Sequence, residues 1–152
     1  MPSDGVCSQT DTIRSGSLYG SGRSRIESTA FMATYGSGHP VVAIHTEYDT
    51  TPGNSQTPGV PEHKPLVEGA PGHAEGHNVN AAVMVGAAFA VKKAMDEHKL
   101  PGTLKVFGAP AEELLLPRPY FVRDGFLKDV DVAFHTHIGE ELRTEYGLGS
   151  TL

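Results

Sequence analysis

LPGTLKVFGAPAEE, residues 100–113, is the stretch that decides the fold. Pro101-Gly102 stops whatever helix precedes it, and residues 103–108 then read as a buried apolar strand. Glu112 and Glu113 follow almost at once. Two adjacent carboxylates after an apolar strand are costly if buried unpaired. The strand therefore ends either in solvent or against a cation.

Working outward, residues 78–98 upstream read as one helix. Ala81, Ala82, Gly86, Ala87, Ala88 and Ala90 give it small side chains for close packing on a sheet. Lys92, Lys93, Asp96 and Glu97 mark a wet face near its end. Further upstream, roughly residues 49–76 are rich in Pro and Gly and show no periodicity. A loop of that length is usually functional or disordered. Residues 40–46 form an apolar strand around Val41-Val42-Ala43-Ile44, with Pro40 at its start, where proline is tolerated. Residues 29–35 are β-rich, and Gly36-Ser37-Gly38-His39 reads as a hairpin turn between these two strands. Downstream, a short helix is expected over 119–127 and a third strand over 130–135. Strand, helix, strand, short helix, strand is the rhythm of an α/β fold, a mostly parallel sheet flanked by helices.

The composition narrows the function classes. The formal charge is −6 with no dense basic run, so neither nucleic acid nor an anionic membrane is an expected partner. Cys7 is the only cysteine, which excludes an intramolecular disulfide and suggests a reducing compartment. The first thirty residues lack the apolar run of a signal peptide, and a cytoplasmic location is the expectation. Residues 1–28 are Ser- and Gly-rich and are expected to form a disordered leader. Histidines number 8 in 152 residues, and their placement matters more than their count.

Four polar clusters fall where a strand ends or a helix begins, the edge at which open α/β sheets bind ligands. Glu47 and Asp49 follow the first apolar strand and share one side of an extended chain; a solvated strand end reads equally well. His73, Glu75 and His77 alternate in PGHAEGHN, residues 71–78, so that in an extended segment they face one way. Carboxylate oxygen and imidazole nitrogen suit zinc and similar dications, although a polar loop capping the helix would look the same. Glu112 and Glu113 form the third cluster. His135 and His137, on one face of the third strand's end, form the fourth; a pair of exposed histidines is the plainer reading. A metal centre explains why all four converge, and scattered surface polarity does not.

In order and spacing, PVVAIHTEYDTTPGNSQ, PGHAEGHN, LPGTLKVFGAPAEE and FLKDVDVAFHTH resemble the aminoacylase/carboxypeptidase family of two-metal hydrolases, nearest its amidohydrolase branch that includes aminobenzoyl-glutamate hydrolases. The resemblance implies the phosphorylase/hydrolase-like metallopeptidase fold and hydrolysis of a small-molecule amide next to a carboxylate. It implies two divalent ions, zinc or manganese, with Glu75, His77, Glu113 and His137 as metal ligands. Glu112 would be the catalytic base and acid, and Asp49 would sit behind the centre and orient it. Asn78 and the helix N-terminus would help place an anionic substrate group. Glu47 stands where other branches carry a metal-binding histidine. Glu75 stands where many relatives carry cysteine, and a carboxylate there shifts the preference toward manganese. Family chains continue into a lid and dimerisation domain, through which they often form homodimers, and return to supply a last histidine ligand. Residues 29–152 are therefore expected to form a partial catalytic domain, with a non-catalytic metal-binding remnant as the alternative.

Overall fold

A computed structural model describes residues 29–139. The expected leader at 1–28 and the last residues, 140–152, lie outside the described residues. The elements run β1 (Phe31–Ser37), β2 (Val41–Glu47), α1 (His77–His98), β3 (Gly102–Ala109), α2 (Arg118–Arg123) and β4 (Val132–Phe134), with a 3-10 turn at Glu112–Leu114. They build one four-stranded sheet in the order β1-β3-β2-β4.

The β2–β3 and β2–β4 pairs are parallel and β1–β3 is antiparallel, so the sheet is mostly parallel, as the rhythm of elements implied. The expected hairpin between β1 and β2 does not form, because β3 lies between them. The Gly-Ser-Gly segment instead crosses the start of β3. There Thr103 donates its N–H to Pro40 O at 2.9 Å and its hydroxyl to Gly38 O at 2.8 Å. A local turn signal fixes a reversal of the chain, but it does not choose which strand pairs with which.

Alternation along the strands separates two cores. Ala43 and Phe107 point to one face, where Phe121 of α2 covers them together with Ala30. Ile44 and Leu104 point to the other, against Met84, Ala87, Ala88 and Met95 of α1. Those α1 positions fall at i, i+3, i+4 and i+11, on one side of the helix, which is the stripe a helix needs to lie on a sheet. Lys99, with φ 53°, ends α1 as Leu100 N–H bonds back to Met95 O. The short helix stops at Arg123, before the expected 127; residues 124–129 continue as turns. β4 is a three-residue edge strand, shorter than the expected 130–135. It is tied to β2 by Asp131 Oδ2, which accepts the Val41 N–H at 2.7 Å.

The long stretch before α1 is held by its own hydrogen bonds. Ser55 N–H reaches Ala70 O at 2.9 Å, and Thr51 exchanges two backbone bonds with Gly72 at 3.1 Å. A Cβ at Gly72 would lie 2.1 Å from Asn54 O. Only glycine lets these two backbone runs close, and their closure fixes where Glu75 and His77 begin.

Candidate metal centre

Because β2, β3 and β4 are parallel, their carboxyl ends share one edge of the sheet, and the amino end of α1 meets it. Glu47 and Asp49 arrive from β2, Glu112 and Glu113 from β3, His135 and His137 from β4, and Glu75 and His77 from the start of α1. His77 is fully buried and sits at the middle. Its Nδ1 lies 3.0 Å from Asp49 Oδ1, and its Nε2 lies 3.2 Å from Glu47 Oε2. Asp49 uses its other oxygen to accept the Glu113 N–H at 3.0 Å. One carboxylate thus orients the imidazole and pins the strand end that carries the acid pair, which is how outer partners commonly fix a metal-binding histidine.

Glu75 lies between two histidines. Its Oε1 is 3.2 Å from His77 Nδ1, and its Oε2 is 3.0 Å from His137 Nε2. The approach of His137 depends on Gly76, which has φ 111° and where a Cβ would lie 2.5 Å from Ile138 Cγ1. His73 is exposed and stands outside the cluster, and Asn78 is exposed on the first turn of α1.

The least expected member is Glu47. It is 1% exposed, and charges buried this deeply are costly unless paired. Its partners are His77, His135, whose Nε2 is 3.1 Å from Oε2, His45 at 3.6 Å from Oε1, and the Arg118 guanidinium. Arg118 also donates from Nη1 to Glu112 Oε1 at 3.2 Å and from Nε to His45 Nε2 at 3.0 Å. Burial, reinforced by Arg118 and His135, lowers the His45 pKa to about 3, so this ring is neutral and accepts. Burial, then Arg118 and His137, also pushes His135 below the usual imidazole range.

The sequence reading passed over His45 and Arg118 and put His135 in the fourth cluster without a ligand role. Arg118 leaves one trace in the sequence: a cation on the first residue of a helix opposes the helix dipole, which calls for an acidic partner. His45 and Glu47 share a strand face at i, i+2, and the small Ala109, opposite Glu47 on β3, leaves room there.

Two donor groups could each hold an ion: Glu47, His77 and His137, and Glu75, His77 and Glu113. The residues fit a dication on independent grounds. His77 Nε2 and Glu75 Oε2 are buried and make no hydrogen bond of good geometry. Each nevertheless stands within about ion-pair distance of an opposite donor. Donors that crowd together without bonding one another are arranged around a shared point, as ligands are.

Comparison with known proteins accords with this geometry. Residues 43–151 match the model of Peptidase family M20/M25/M40. The chain is 38% identical over 108 residues to a subunit of p-aminobenzoyl-glutamate hydrolase from Escherichia coli (strain K12), covering 71% of this chain and 22% of that protein. It is 30% identical over 100 residues to N-acetyl-L-cysteine deacetylase of Bacillus subtilis (strain 168), covering 64% of this chain and 22% of that protein. Among solved structures, the YXEP protein of Bacillus subtilis, described as a dinuclear metal binding peptidase, superimposes with a TM-score of 0.61 at 29% identity. That match covers 76% of this chain and 32% of the other. The chain therefore spans less than a third of the length of these relatives, which are enzymes, and it belongs to peptidase family M20/M25/M40.

Proposed function

We propose that this chain carries the greater part of a metal-dependent amide-hydrolysing centre. The observation that carries the reading is the meeting of two donor groups at the buried His77, where His77 Nε2 and Glu75 Oε2 make no hydrogen bond of good geometry, with a further carboxylate, Glu112, beside them. Glu75, His77, Glu113 and His137 hold the divalent ions, zinc or manganese, and Glu47 joins them. When bound, such ions lower the pKa of water and polarise a carbonyl.

The rest of the chemistry belongs to the chain. Asp49 holds the His77 Nδ1–H, which leaves Nε2 free to act as a ligand. Glu112 takes a proton from the attacking water and delivers it to the leaving amine, the shuttle a positioned carboxylate performs. The substrates named by the relatives, an aminobenzoyl-glutamate and an N-acetyl amino acid, share an amide next to a carboxylate, and we extend that substrate class to this chain. The test is hydrolysis of N-acetyl amino acids and aminobenzoyl-glutamate by the chain loaded with Mn or Zn. Turnover abolished by Glu112→Gln supports the reading. Metal bound without turnover favours a non-catalytic metal-binding domain.

A further inference from the structure

Arg118 stands among acids that a metal centre would otherwise claim. It begins α2, and Phe121, three residues on and therefore on the same helix face, is buried against Phe107 with ring centroids 5.3 Å apart. That anchor sets Arg118 at the carboxyl edge of the sheet. Its three nitrogens meet three different partners: Nη2 the buried Glu47, Nη1 Glu112 and Nε His45. Glu47 also belongs to the Glu47–His77–His137 donor group. The guanidinium stands against Glu47 Oε1, which accepts no hydrogen bond of good geometry, while Oε2 faces His77 and His135. Its side chain is 45% exposed, so it has room to turn toward solvent.

We propose that Arg118 is a built-in competitor for the cation site: a tethered positive charge that neutralises Glu47 and Glu112 and so limits how tightly a divalent ion binds there. This rests on the metal reading above and adds to it a determinant of affinity within the chain itself. Two effects of removing Arg118 oppose each other. Losing an outer partner of a ligand weakens metal binding by about 10- to 100-fold. Relieving the repulsion between a guanidinium and a dication a few ångströms away favours binding by more than about a hundredfold at the dielectric of a partly buried site. Repulsion is the larger effect, so the net sign is tighter binding.

The experiment is calorimetric titration of the metal-stripped chain with Mn²⁺ and with Zn²⁺, for the wild type, Arg118→Gln and Arg118→Lys, with circular dichroism to establish that each is folded. Arg118→Gln is expected to bind about tenfold more tightly or better. Arg118→Lys, which keeps the charge and loses the fork, should stay near the wild type. Unchanged or weaker binding by a folded Arg118→Gln overturns the proposal and leaves the metal reading standing, as does equal tightening by Arg118→Lys. If neither ion binds the wild type or Arg118→Gln, the metal reading falls too.

Discussion

Gly76 is the backbone residue on which the approach of His137 depends, and replacing it with alanine puts the geometry to a quantitative test. Its φ of 111° is one that L side chains rarely adopt, and holding a non-glycine residue there costs about 1–3 kcal/mol. The new Cβ would also stand 2.5 Å from Ile138 Cγ1 and 2.9 Å from Ile138 Cβ. Overpacking of that kind adds about 1–3 kcal/mol. Alanine gives back about 0.4–1 kcal/mol by stiffening the unfolded chain. The expected net loss is about 1–6 kcal/mol. Relaxation that spares stability has to move Ile138, and with it His137, away from Glu75. The control is Gly86→Ala within α1, where an added Cβ meets nothing within 4 Å; there a gain of about 0.8–1 kcal/mol is expected from helix propensity. Urea unfolding followed by circular dichroism reads both variants. A Gly76→Ala protein within about 0.5 kcal/mol of wild type, the range of a neutral surface change, with unaltered metal affinity, would refute the reasoning.

Other residues give independent tests. Asp49→Asn keeps the shape and removes the charge that orients His77 and holds the Glu113 N–H, so metal affinity should fall about 10- to 100-fold; calorimetry with Mn²⁺ checks it, and an unaffected Kd contradicts the role. Asp131 is held below the usual carboxylate range by the Val41 N–H and then by His39. Its unfolded form therefore binds the proton more readily, and its contribution to stability is present above about pH 4 and lost as pH falls below that. Melting temperatures between pH 5 and 3 should drop less steeply for Asp131→Asn than for the wild type, and parallel profiles would rule the contribution out.

Legibility in the sequence followed the range of the interactions. β2, β3 and α1 were readable within a residue or so, because each carries its own period and its own stop signal, such as the Pro101-Gly102 that closes α1. The pairing of β1 with β3 was not, since a Gly-rich turn looks the same whether or not a third strand lies between its arms. In the site, Glu75, His77, Glu112, Glu113 and His137 stood out as dense local patterns. Glu47 was legible only as half of a strand-end acid pair with Asp49, and Arg118 was passed over. The burial of Glu47 comes from its register beside Ala109, and Arg118 meets its acids only after α2 docks through Phe121.

The central claim is that separate strand ends converge around His77 to hold a divalent ion. Metal titration of the wild type against His137→Ala tests it most directly. The His137 side chain is 46% exposed, so its truncation removes a donor without opening the core. The account predicts a bound Mn²⁺ or Zn²⁺ in the wild type and at least about tenfold weaker binding in the variant, the loss expected when a metal partner is removed. Equal affinity in the two proteins, or no metal in either, would contradict it.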